Sequence, residues 1–256
     1  MSCFKKKAGT SELHNLGETR SVRRASHLLH TPDTFIRTNL PGLQGASAII
    51  HISPALGAAF TQYAVEFEAN GSLESNQYQR FLYVLDGTLR LKLDGQSHTL
   101  SKDGYIYLPH GVDHRIVAST KARATVIEKP YQAISGISLA SPIIASETDV
   151  IGQPLNGDKD LQVRSLLPDT PAFDFAVNTM TYQPGAALSL VEIHVMEHGL
   201  LMLEGGGIYR LDDAWYPVTA GDFIWMAPYC PQWFGAIGRT PAKYLIYKDW
   251  NRHPLG

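Results

Sequence analysis

Along much of the chain, apolar and polar residues alternate with a period of two. In LRLKLD, Leu89, Leu91 and Leu93 share one face while Arg90, Lys92 and Asp94 share the other, which predicts a half-buried antiparallel strand. Comparable short runs recur at spacings of about 8 to 12 residues, punctuated by Gly, Pro and Asp turns, the rhythm of a β-sandwich or barrel. No segment carries the periodicity of a long amphipathic helix.

The pattern also repeats. RFLYVLDGTLRLKLDGQSHTLSKDGYIYLPHGVDHRI, from Arg80, and HGLLMLEGGGIYRLDDAWYPVTAGDFIWMAPYCPQWF, from His198, begin 118 residues apart. Each reads as an apolar strand, a turn at Asp86-Gly87 or Glu204-Gly205, an alternating strand, a second turn, then an aromatic strand ending at Pro. ATVIEKPY from Ala124 and KYLIYKDW from Lys243 extend the match and set Lys129 against Lys248, now 119 apart. A duplicated all-β domain is expected. Residues 1–44, polar and irregular, read as an N-terminal arm over a barrel or a partner subunit. Residues 45–135 read as a first barrel, 136–170 as a crossover, and 171–256 as a second barrel.

Candidate chemistry concentrates in GAALSLVEIHVMEHGLLMLEG, Gly185 to Gly205. On a strand, Glu192 and His194 project to one side and Val191, Ile193 and Val195 to the other. His198, beyond a short turn at Met196-Glu197, returns toward the same space, and Gln232 stands at the tip of a later hairpin, after Pro228. Two imidazoles, a carboxylate and a carboxamide oxygen would form a mixed site with open positions, suited to Mn²⁺ or Fe²⁺ rather than to structural zinc. The bland alternatives are two hydrogen-bonded core histidines and a solvated Gln. Tyr244, Ile246 and Lys248 alternate along one strand, so Lys248 shares a face with Tyr244, and a Lys at that depth needs a charge partner or a function; the bland alternatives are a rim Lys reaching solvent and tyrosines that only pack. In the first repeat, Arg80 takes the place of His198, Asn76 that of His194 and Glu74 that of Glu192. A guanidinium repels a cation. The first repeat is therefore expected to hold no metal, with His114 as a remnant.

Charge narrows the partners. Across 256 residues, 22 Lys and Arg face 24 Asp and Glu, a net charge of -2 that gives no general attraction to nucleic acid or to an anionic membrane. The basic clusters Lys5, Lys6, Lys7 and Arg20, Arg23, Arg24 read as a solvated arm. Two cysteines, Cys3 and Cys230, exclude a disulfide framework or a cysteine zinc cluster and fit a reducing compartment. The absence of an apolar leader segment, and of about 20 consecutive apolar residues anywhere, leads to the expectation of a cytoplasmic protein with no membrane partner.

The second half resembles a cupin barrel. The spacing of the first cupin motif appears as Gly185-x6-Glu192-x-His194-x3-His198-x6-Gly205, with Glu and His exchanged relative to the usual order. That of the second appears as Gly221-x6-Pro228-x3-Gln232, with Gln for the last His. Over nearly the whole chain, including IIHISPALGAAFTQYAVEF, GIYRLDDAWYPV and YLIYKDWNR, this bicupin is similar to the (S)-ureidoglycine aminohydrolase family. The resemblance implies an Mn²⁺ site in the C-terminal barrel with Glu192, His194, His198 and Gln232 as ligands. It also implies Tyr209, Tyr244 and Lys248 as pocket residues, a small-molecule substrate and a homo-oligomer. Glu192 and Lys248 would be catalytic, releasing ammonia from (S)-ureidoglycine. Two other classes stay open: a bicupin dioxygenase of an aromatic substrate, and a non-catalytic ligand-binding cupin.

Overall fold

In the computed structural model, which describes residues 19–252, the alternating runs form strands; Lys5, Lys6, Lys7 and Cys3 lie outside the described residues. Leu89 and Leu91 are fully buried and Leu93 nearly so, with Arg90 and Lys92 facing water. Burial of one face is the main force that orders such a strand. The helical turns among the described residues are 3-10 turns of three residues, and no helix there is long and apolar enough to cross a membrane.

The first barrel runs, in order of pairing, Ile143–Ser146, Gly104–Leu108, Gln79–Asp86, Ala122–Lys129, Thr61–Glu74, His114–Ala118, Leu89–Leu93 and Gln96–Leu100, with Leu43–Ile52 also on Thr61–Glu74. In the second barrel, one sheet runs Val22–Arg23, His27–His30, Phe223–Met226, His198–Glu204, Ala242–Asp249, Phe175–Tyr182, Asp158–Ser165 and Gln153–Leu155. A three-stranded sheet of Ala214–Thr219, Gly206–Leu211 and Gln232–Ala236 faces it. The turns confirm the duplication at atomic detail. Gly87 and Gly205 both have positive φ, 77° and 62°, and a Cβ at either would collide with the carbonyl of an equivalent residue, Lys121 or Pro241.

Within the arm, His27–His30 pairs with Phe223–Met226 of the second barrel, and three expectations change. There Arg20 grips the fully buried Asp222 through two hydrogen bonds of 2.6 and 2.8 Å, so it is not simply solvated. The crossover is likewise paired, because Ile143–Ser146 completes the first barrel while Gln153–Leu155 and Asp158–Ser165 form an edge of the second. Each barrel thus borrows a strand from beyond its own repeat. Finally, the cross-strand register shifts the internal equivalences. Arg80 opposes Glu128 and His198 opposes Lys248, so Glu128, not Lys129, is the counterpart of Lys248. Lys129 corresponds to Asp249.

Each barrel has its own apolar interior, and a third cluster seals the two together. Because successive strand residues face opposite ways, Tyr244 and Ile246 fill the second barrel while Leu245 and Tyr247 pack against the first.

Candidate functional site

The segment between Tyr182 and His198 is not the regular strand that its alternation predicts. It is irregular, tied down by isolated bridges from Ala187 to Gly235 and from Glu192 to Gln232. Leu188 reaches the core, but Leu190 and Ile193 do not and are 61% and 60% exposed. The alternation of side chains nevertheless survives. Glu192 and His194 project together, with His194 Nε2 3.1 Å from Glu192 Oε2. Glu192 exchanges backbone hydrogen bonds of 2.8 and 2.9 Å with Gln232, and the His194 carbonyl accepts the Tyr229 N–H at 2.7 Å. These bonds hold the segment against the hairpin that carries Gln232.

His198 begins the strand behind it. Its ring meets that of His194 edge to face at 5.2 Å between centroids. Burial, then the nearby Lys248 and His194, hold its pKa well below the ordinary imidazole value. Its Nδ1 is buried with no hydrogen-bond partner among the described residues. Gln232 is buried too, and its Oε1 accepts the Tyr209 hydroxyl at 3.2 Å, which leaves a second lone pair free. Lys248, half-buried, is lowered in pKa by burial and partly restored by the charge of Glu192. Among the described residues it forms no ion pair within 4.0 Å.

Burial, and to a lesser extent the charge of the Glu192 carboxylate, raises the pKa of Tyr182, Tyr209 and Tyr244. Among the expected site residues, Glu192 lies against His194, His194 against His198, and Gln232 against Tyr209. Tyr182 was missed by sequence reasoning. Its hydroxyl lies 2.7 Å from that of Tyr244, which itself donates to Met180 Sδ at 3.3 Å. The available signal was the alternation of FAVNTMTY, which turns Met180 and Tyr182 to the same side.

As donors, these residues suit a divalent cation of the manganese type: imidazole nitrogen, carboxylate and carboxamide oxygen, with a buried histidine nitrogen unsatisfied. As the side chains stand, no three His, Cys, Asp or Glu among the described residues are close enough together to hold one.

The first barrel fills the same space differently. Arg80, 1% exposed, donates to Glu128 Oε1 at 2.8 Å and to His114 Nε2 at 2.6 Å. Asn76 and Tyr63 donate to the same oxygen of Glu128, at 2.8 and 3.0 Å. His114 Nδ1–H donates to the Val112 carbonyl, and burial beside Arg80 pushes its pKa down to about 4. Ser75, whose N–H bonds to the His114 carbonyl, stands where Glu192 stands in the second barrel, one residue beyond the Glu74 that sequence spacing predicts.

Comparison with known proteins agrees with this architecture. A family model for the cupin domain matches twice, at residues 64–128 and 178–247. A protein of Oryza sativa subsp. japonica named probable (S)-ureidoglycine aminohydrolase is 40% identical over 93% of this chain and 78% of its own length. The (S)-ureidoglycine aminohydrolase of Escherichia coli (strain K12) is 33% identical over 90% of this chain and 91% of its own length. The crystal structure of a putative glyoxylate induced protein from Pseudomonas aeruginosa superposes with a TM-score of 0.85 at 30% identity, covering 92% of each chain. The chain belongs to the cupin family and, within it, to the two-barrel hydrolases of the (S)-ureidoglycine aminohydrolase family.

Proposed function

We propose that this chain is a manganese-dependent hydrolase that releases ammonia from (S)-ureidoglycine to give (S)-ureidoglycolate, in allantoin and purine breakdown. One observation carries the reading: Glu192 and His194 meet at 3.1 Å in a barrel interior with Lys248 and Gln232, on a chain matched over 93% of its length by a relative named for this activity.

The substrate bears a carboxylate, a ureido group and an amine on a single carbon. Water adds its oxygen to that carbon, the bond to the amine breaks, and the amine leaves as ammonia carrying the proton that water gives up. Glu192, His194, His198 and Gln232 would hold the metal, which supplies Lewis acidity when bound. Glu192 accepts the proton of the attacking water at its carboxylate. Lys248 Nζ provides the positive charge that the substrate carboxylate or the departing amine demands, in a site where burial makes charge count for more than in water. Tyr209 keeps the Gln232 oxygen aimed inward. Tyr244, braced by Tyr182, offers a fixed hydroxyl to the polar ureido group.

The test is removal of metal by chelation followed by Mn²⁺ return, reading ammonia release and oxygen uptake together. Ammonia release lost and then restored, with no oxygen consumed, is the expected result. Oxygen consumption would make the protein a dioxygenase, and full activity after metal removal would exclude the manganese role.

A further inference from the structure

His198 and Lys248 sit directly opposite each other on adjacent strands, and the chain next to each is anchored in the other barrel. Glu197, one residue before His198, is buried. Its Oε1 accepts the backbone N–H of Ala59, from the first barrel, at 2.8 Å, and its Oε2 accepts the Trp225 indole N–H at 3.0 Å. Asp249, one residue after Lys248, accepts at Oδ1 from Lys129 Nζ at 2.6 Å. Lys129 ends the first barrel's Ala122–Lys129 strand, is 2% exposed, and also donates to the Asp174 carbonyl at 3.0 Å. Asp174 is itself fixed by Gln79 Nε2 at 2.5 Å and by the Gln132 N–H at 2.9 Å.

Lys129 and Asp249 occupy equivalent places in the two repeats. The duplicated position has diverged to opposite charges, and the two charges now meet across the junction. Between the anchors the barrels approach as closely as glycine permits, since a Cβ on Gly199 would lie 2.5 Å from Gln62 Oε1 and 2.6 Å from the Phe60 ring. Phe60 stacks on Tyr247 with centroids 3.9 Å apart. Apolar packing of that quality holds two barrels together without buried charge, and a buried ion pair often adds little to stability over apolar side chains. What it does add is a fixed register. Neighbouring strand residues face opposite ways, so holding Asp249 against the first barrel aims Lys248 into the second.

We propose that Lys129 is a positioning residue for the reaction: by holding Asp249 from across the junction, it sets where the Lys248 ammonium stands relative to Glu192 and the substrate. This rests on the role given to Lys248 above. The first barrel, its own interior closed by Arg80 and Glu128, then takes part in the chemistry of the second through register alone.

The experiment compares Lys129→Met and Asp249→Asn, each alone and each combined with Lys248→Met, reading kcat, KM and the urea midpoint. Asp249→Asn keeps shape and carries the same comparison if Lys129→Met does not fold. With Lys248 present, kcat should fall by about tenfold or more with KM changed less than about twofold, as for a small misplacement of a charged group. With Lys248 already Met, the further loss should be less than about twofold, the non-additivity expected of coupled residues. Equal losses in both backgrounds, or unchanged kcat in Asp249→Asn, would overturn the proposal. Near-normal turnover in Lys248→Met alone would instead remove the role of Lys248 and the proposal with it.

Discussion

At the scale of single residues, the two barrels part company at one cross-strand pair: Arg80 with Glu128 in the first, His198 with Lys248 in the second. The first pair neutralises itself, with the guanidinium 2.7 Å from Glu128 Oε1, the same oxygen on which the Tyr63 hydroxyl and the Asn76 amide also converge. The second pair carries two groups that repel each other when both are charged. That arrangement only makes sense beside something negative, and Glu192 is the acid whose charge reaches Lys248. Lys248→Met should lower kcat by at least about two orders of magnitude, the usual loss of a charge that stabilises a transition state. Metal content, measured on the same sample, should not change. Near-normal turnover would end the catalytic role of Lys248.

At the scale of elements, the longest strand of the first barrel and its counterpart in the second differ most. Thr61–Glu74 runs unbroken for 14 residues, whereas in the second barrel the ladder stops at Tyr182 and the chain wanders until His198. Period-two alternation made Glu192 and His194 legible as a pair facing one way, and they do meet. It could not reveal that the backbone leaves the sheet, because alternation reports side-chain direction and not ladder bonds, and because Ile193 looks like a core residue until its exposure is known. The turns were easier to read. Asp86-Gly87 and Glu204-Gly205 need a backbone that favours glycine, so the residue type itself marks the place. Short edge strands such as Gln153–Leu155, containing Pro154, carried no such mark. Gly205→Ala should cost roughly 1–3 kcal/mol in urea unfolding, because it forces a side chain into a positive-φ position against the Pro241 carbonyl. A loss below about 0.5 kcal/mol would mean that the turn relaxes and that its glycine is not required.

At the scale of the whole molecule, the barrels share an aromatic junction and exchange strands, so they are expected to unfold together. His51 reports on that junction. It is buried, stacks on Phe223 of the second barrel at 4.8 Å, and lies with Nδ1 3.4 Å from that of His30. Burial, with a smaller effect of His30, pushes its pKa down to about 3 from the usual 6.5. The unfolded chain takes up this proton below about pH 6.5 while the folded one refuses it. Its contribution to stability is therefore complete above that pH and lost as pH falls toward 3, at about 1.4 kcal/mol per pH unit. Urea midpoints between pH 7 and 4 should fall less steeply in His51→Gln than in the parent, and identical slopes would contradict the assignment. In the proposed reaction, water replaces an amine on one face of a carbon. The most direct measurement is the configuration of the product when ureidoglycine is generated in the presence of the protein. Accelerated ammonia release with (S)-ureidoglycolate as the single enantiomer is the predicted result, whereas racemic product with ammonia released at the spontaneous rate would contradict it.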